Sequence, residues 1–199
     1  MKSTKTFEIT SKVKKIHAVV TGVDVKADVI ADCNKTAKKY GYDGLSFVVG
    51  DIAAFQPDDV VDVVVSLHAC DTATDYALYN AVAWNAKHIF SVPCYQHELN
   101  KQMTSVRLPI LARYGIIQER FAAMATDAIR ANLLTAVGYK TQVLEFVDLS
   151  HTPKNLLLRG CKCDLTEDHR QTAFAEAKAL MDEFGFEPTL FRLLADRLS

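Results

Sequence analysis

Short apolar runs that break off on acidic or polar residues recur along this chain, and that pattern restricts it to few folds. The run at residues 16–24 is β-branched, closes on Asp24 and has the length of a buried parallel strand. Residues 26–40 then set Val29, Ile30, Cys33 and Ala37 at spacings of three and four, which is a helix face, with Gly41 as its stop. Residues 45–49 make a second strand ending at Gly50-Asp51, and residues 60–67 a third, so apolar that both its faces need cover. A helix over 72–83 begins at Asp71 or Thr72 as N-cap, and a fourth strand over 88–92 stops at Pro93. A mixed, mainly helical stretch leads to about residue 113, followed by a longer helix from 117 to 137 that ends at Gly138. Residues 140–147 and 155–161 are two further strands. The turn-rich connection 150–154 is too short for a parallel crossover, so this pair is antiparallel, the one such element expected. Helices over 166–184, stopped by Gly185, and from Pro188 onward complete the chain. The order β-α-β-β-α-β-α-β-β belongs to a doubly wound α/β sheet, mostly parallel.

Charge and cysteine usage narrow the function classes. The 199 residues suffice for one good core, and length alone suggests one domain. Lysine and arginine number 23 against 24 acids, a formal charge of −1, so the chain lacks the basic surplus typical of nucleic-acid binders. The five cysteines are odd in number and scattered, which reads as free thiols in a reducing compartment, hence a cytoplasmic expectation. The first 15 residues lack the apolar core of an export signal, and no stretch approaches the ~18 uninterrupted apolar residues of a membrane helix.

In a doubly wound sheet, ligands bind beyond the carboxyl ends of the strands, so the residues at those ends carry the chemistry. Four ends are polar here: Asp24, Gly50-Asp51, residues 66–71 and residues 93–98. A carboxylate offers two adjacent acceptor oxygens, and Asp24 is placed to take both hydroxyls of a ribose, with a solvated turn acid as the alternative. Asp51 can accept from an adenine amine or cap a turn. Asp127 and Arg130 lie one helical turn apart and form an ion pair, solvated or structural by default and a substrate contact as the alternative.

Three segments carry a resemblance. Gly22-Val23-Asp24 followed by a helix, Val49-Gly50-Asp51-Ile52, and a strand running into Ser66-Leu67-His68-Ala69-Cys70-Asp71 together resemble class I S-adenosylmethionine-dependent methyltransferases. Residues 66–75, 92–99 and 151–156 resemble more narrowly a branch that includes the C-terminal domain of the vertebrate protein named for its glutathione S-transferase C-terminal-like region. The resemblance covers roughly residues 20–160. It implies a methyltransferase domain over 1–163 and a helical extension over 164–199 packed on it. It implies an S-adenosyl-L-methionine cleft formed by Asp24, Asp51 with Ile52, and the strand end Ser66, Leu67 and His68. The methyl acceptor then approaches between the segments starting at His68 and Pro93, where Cys94, Tyr95 and Gln96 are substrate candidates. Methyl transfer needs in-line alignment and sometimes a base. His68 is the first candidate base, because imidazole titrates near working pH, and His97 the second; Asp71 joins them as a catalytic candidate. Each imidazole can equally brace its own loop. Cys70, Cys94, His68 and His97 can be drawn as a zinc site, but their spacing is not that of paired zinc ligands, and loop-packing thiols are preferred. Cys161 and Cys163 receive no role.

One feature departs from the class. Its members open with a central strand and a Gly-x-Gly loop against the methionine half of the cofactor, whereas the first 15 residues here contain no glycine. The fold class expected is therefore a methyltransferase sheet lacking its usual first strand. The strands ending at Asp24 and Leu67 would flank the gap and leave backbone groups unpaired, which is costly. The N-terminal residues can fill it, with Thr6 to Thr10 alternating as a strand does; the flanking strands can pair directly; or another chain, including a second copy, can complete the sheet. A truncated gene product is a fourth explanation. Weakened cofactor binding is the expectation. RNA is the first acceptor class, since many enzymes of this class act on it, with protein and small molecules open. The competing reading is a non-catalytic remnant or interaction module, and a nicotinamide-dependent oxidoreductase is the third.

Overall fold

The computed structural model describes residues 18–67, 69, 71–93, 96–104, 108–145 and 156–198. The chain divides into two compact units, Met1–Gln56 and Pro57–Ser199. Among the described residues, no helix is long and apolar enough to cross a membrane.

The first unit is a β-α-β element: β1 (Val20–Asp24), α1 (Ala27–Lys39) and β2 (Leu45–Val49). The strands are parallel, with Val20 opposite Leu45 and Asp24 opposite Val49. Helix α1 buries Ile30 and Ala37, and Ala37 packs with Tyr42 and Leu45 in a small core. Asn34 bonds the helix to β2 through both amide atoms: Nδ2 donates to the Phe47 carbonyl at 2.8 Å and Oδ1 accepts the Phe47 N–H at 2.9 Å. Gly22 is required by packing, because a Cβ there would stand 2.3 Å from Phe47 Cδ1. Gly41 ends the helix region at φ 66°, where a side chain would be strained.

The second unit runs β3 (Val63–Leu67), α2 (Thr72–Ala83), β4 (His88–Val92), α3 (Glu98–Gln102), α4 (Ile110–Arg113), α5 (Gly115–Ala136), β5 (Tyr139–Glu145), β6 (Leu156–Lys162), α6 (Glu167–Phe184), α7 (Thr189–Leu193) and α8 (Ala195–Leu198). Its four strands lie in the order β3-β4-β6-β5. Strands β3 and β4 are parallel, while β6 runs antiparallel to both β4 and β5. The expected antiparallel pair is present, and β6 adds a second antiparallel contact by inserting between β4 and β5. The mostly parallel sheet read from the sequence is thus present in part, as the parallel pairs β1-β2 and β3-β4.

The core of this unit lies on one face of the sheet. Ile89, Leu158 and Tyr139 meet Leu78 and Ala81 of α2, Ala125, Ile129 and Leu133 of α5, and Ala177 and Met181 of α6. Alanines at the contact let α5 and α6 approach closely, and each fully buried leucine or isoleucine contributes about 1.5–3 kcal/mol. Tyr139 buries its ring and still satisfies its hydroxyl, which donates to the Ala86 carbonyl at 2.8 Å. Thr166 caps α6 by accepting the His169 N–H, and Gly185 closes it in the left-handed conformation at φ 68°.

Among the described residues the strands pair within each unit, β1 with β2 in the first and β3-β4-β6-β5 in the second. Among the described residues, β1 pairs only with β2, and β3 at its edge only with β4. Residues Thr6 to Thr10, one way of filling the gap, lie outside the described residues.

Candidate functional site

Each unit presents polar residues at the carboxyl ends of its parallel strands. In the first, Asp24 closes β1 and Asp51 follows β2, so the in-register pairing of the strands brings both to the same end. Both are exposed and both use one carboxylate oxygen in a tight turn. Asp24 Oδ1 accepts the Lys26 N–H at 2.9 Å, and Asp51 Oδ1 accepts the Ala53 N–H at 2.9 Å. The turn fixes the carboxylate and leaves its second oxygen for another donor. Ile52 is half-buried in the turn after Asp51.

In the second unit the segments after β3 and β4 are bonded together. Asp71 carries a non-glycine φ of 53° at the start of α2, and its carboxylate does not cap that helix. Instead Oδ1 accepts the backbone N–H groups of His97 and Glu98 at 3.0 and 3.1 Å, at the start of α3. Thr74 donates its hydroxyl to the Ala69 carbonyl at 2.8 Å and folds the β3 segment back onto α2. Glu98 in turn accepts from the N–H and hydroxyl of Thr189 and from Arg192, which anchors α3 to α7.

Beneath these segments lies a buried charge cluster. Arg130 of α5, 2% exposed, makes a bidentate pair with Asp75 of α2: Nε to Oδ1 at 2.9 Å and Nη2 to Oδ2 at 2.8 Å. Its Nη2 also donates to the Asp71 carbonyl at 3.0 Å, and its Nη1 lies 3.5 Å from Asp127 Oδ1. Asp127 accepts a 2.5 Å bond from Gln96 Nε2. Burial pushes the Asp75 and Asp127 carboxyls above the usual range, with Arg130 opposing it in both. Burial disfavours the Arg130 charge, yet its bonds to Asp75 and the Asp127 charge hold it protonated.

The structure thus brings together Asp71, Gln96 and His97 of the sequence candidates, and separately Asp24, Asp51 and Ile52. Ser66 is buried at 7% exposure on the helix-covered face of β3, opposite Ser91, while Leu67 is exposed. His97 is exposed and heads α3. His68, Cys70, Cys94 and Tyr95, and residues 151–155, lie outside the described residues. Among the described residues no group of three potential metal ligands forms.

The Asp127–Arg130 pair is buried, not solvated, and the stronger partner of Arg130 is Asp75, 55 residues earlier in the chain. Asp75 received no role from the sequence. A carboxylate amid Thr74, Ala77 and Leu78, all buried on the helix, needs a cation, and that burial is a tertiary fact that spacing does not show.

No curated protein matches the sequence. Among solved structures the chain is similar to that of the citrinin polyketide synthase CMeT domain, with 16% identity, a TM-score of 0.48, and coverage of 81% of this chain and 43% of that one. It is also similar to the PH0226 protein from Pyrococcus horikoshii OT3, with 14% identity, a TM-score of 0.34, and coverage of 87% and 68%. The chain therefore spans less than half the length of the first of these. A family model described as a methyltransferase domain matches residues 3–102, which is half of the chain and extends to the end of α3.

Proposed function

This chain belongs to the methyltransferase-domain family, and on that premise we propose that it transfers the sulfonium methyl group of S-adenosyl-L-methionine to an RNA acceptor. One observation supports this above the others. Asp71 ties the segment after β3 to the start of α3, and so holds Gln96 and His97 at the carboxyl end of a parallel strand pair. Ligands of such sheets bind at that end. A merely structural sheet has no need of two polar segments joined there.

The cofactor fit divides into two halves. Asp24 and Asp51 suit the nucleoside half, because each is exposed and turn-fixed and keeps a carboxylate oxygen for a ribose hydroxyl or an adenine amine. For the methionine half, residues 1–19 offer no glycine. When bound, the cofactor supplies an electrophilic methyl group that needs no activation by the protein. The chain's own residues have the remaining tasks. In the first unit Asp24 and Asp51 are proposed to orient the nucleoside; in the second, Gln96 is proposed to hold the acceptor, and an imidazole to take the acceptor's proton where one must leave. His68 and His97 are the two imidazoles proposed for that step. RNA as acceptor rests on the resemblance to class I methyltransferases.

The test is methyl incorporation from radiolabelled S-adenosyl-L-methionine into separate RNA, protein and small-molecule fractions of a cell extract. Label in the RNA fraction that nuclease removes is the expected result. Label confined to protein or small molecules overturns the acceptor, and no label in any fraction overturns the activity. A second reading is a non-catalytic module that keeps the sheet, and the no-label outcome is what that reading requires.

A further inference from the structure

We propose that Gln96 is an acceptor-recognising side chain whose amide Asp127 positions with the carbonyl Oε1 outward, so that the site selects a methyl acceptor bearing an N–H donor beside the methylated atom. This rests on the methyltransferase reading for the word acceptor, and on the cluster geometry for everything else.

A carboxylate has lone pairs only, so the face of the Gln96 amide that meets Asp127 Oδ1 at 2.5 Å is its NH₂ group. The amide is planar, and fixing Nε2 turns Oε1 away from Asp127. Among the described residues, no donor reaches Oε1, and Gln96 is half-buried, so this oxygen is left for a ligand. Asp127 itself does not move freely. It stands on α5, whose Arg130 is clamped to Asp75 of α2, and it is 8% exposed. The groups facing Asp127 are Arg130 from its own helix, Asp75 from α2 and the Gln96 amide, with Asp71 and Glu98 behind Asp75. Were Asp127 to take a proton, it would become a donor, and the amide would be free to turn its carbonyl inward. The lock therefore holds only while Asp127 is ionised, and burial brings its protonation to higher pH than an exposed carboxylate would show.

The test uses the full chain labelled with ¹⁵N, in which the Gln96 side-chain amide is identified by its loss in Gln96→Met. The expected result is an exchange-protected amide pair whose shift follows a single titration above the ordinary carboxylate range. Asp127→Leu abolishes both protection and titration. Asp127→Asn, which still offers an oxygen acceptor, keeps the protection and loses the titration. The second arm compares oligocytidylate with its N4,N4-dimethyl counterpart in the presence of S-adenosylhomocysteine, read by calorimetry. Wild type and Asp127→Asn favour the unmethylated strand by about tenfold, the effect of one hydrogen bond, and Gln96→Met and Asp127→Leu do not.

A freely exchanging Gln96 amide in a protein with a folded backbone spectrum overturns the lock. A locked amide with equal or absent binding of the two strands overturns the recognition. Failure of S-adenosylhomocysteine to bind, with the lock and the strand preference both present, overturns the methyltransferase reading alone.

Discussion

Replacing Asp75 by asparagine removes one partner of a guanidinium that has almost no access to water. The Arg130 and Asp75 side chains are each 2% exposed, and their two bonds measure 2.8 and 2.9 Å. Two unit charges about 4 Å apart interact by about 4 kcal/mol at the effective dielectric suited to protein sites. Breaking such a buried pair from one side costs about 3–5 kcal/mol, because the remaining charge stays unsolvated. Arg130 retains the Asp71 carbonyl at 3.0 Å and Asp127 at 3.5 Å, so the lower end, about 3 kcal/mol, is expected for Asp75→Asn. Asp127→Asn should cost far less, about 1 kcal/mol or under, since its contact with Arg130 is at the limit of a bond and Arg130 keeps Asp75. The double variant should exceed the sum of the two, because Arg130 then has no carboxylate at all. Urea unfolding at neutral pH followed by tryptophan fluorescence reads this directly: Trp84, the single tryptophan, caps the end of α2, the helix that carries Asp75. Equal costs for the two single variants, or a cost below about 1 kcal/mol for Asp75→Asn, would refute the assignment of Asp75 as the principal partner.

Two further predictions concern packing and pH. Gly22→Ala places a Cβ 2.3 Å from Phe47 Cδ1 and should destabilise the first unit by about 1–3 kcal/mol, seen as faster amide exchange in β1 and β2; unchanged exchange counts against the packing described. Burial raises the Asp127 carboxyl in the folded state, so its contribution to stability is complete below the unfolded value near about 3.9 and is lost as pH rises through the raised one. Asp127→Asn should therefore cost more stability near about pH 4 than near pH 7, and the reverse order in paired urea titrations would contradict the buried, weakly paired carboxylate.

Elements bounded by strong punctuation were legible from the sequence. Strand β2 ends at Gly50, α2 begins after Asp71, and β4 ends at Pro93, all as read. Strand β3 was read three residues too long, because Val60 and Val61 continue its apolar run. The chain instead bends at Asp62, whose carbonyl accepts the N–H groups of Lys87 and His88 and whose carboxylate pairs with Lys87. That anchor joins residues 25 apart, and no local pattern announces it. The same limit hid the place of β6 between β4 and β5: apolar runs identify strands without saying which edges pair. It also hid the role of Asp75, because Arg130 stands on another helix. The signature segments drew attention to Asp71, Gln96 and His97, and their adjacency through Asp71 is a tertiary fact that spacing alone does not contain.

The most direct test of the methyltransferase account is calorimetric titration of the full chain with S-adenosyl-L-methionine and S-adenosylhomocysteine, beside an Asp24→Ala variant of verified fold. The account predicts saturable binding to the wild-type chain that the variant loses, since Asp24 is assigned the ribose of the cofactor. A folded wild-type chain that gives no heat, or a variant that binds as well as the wild type, would contradict it.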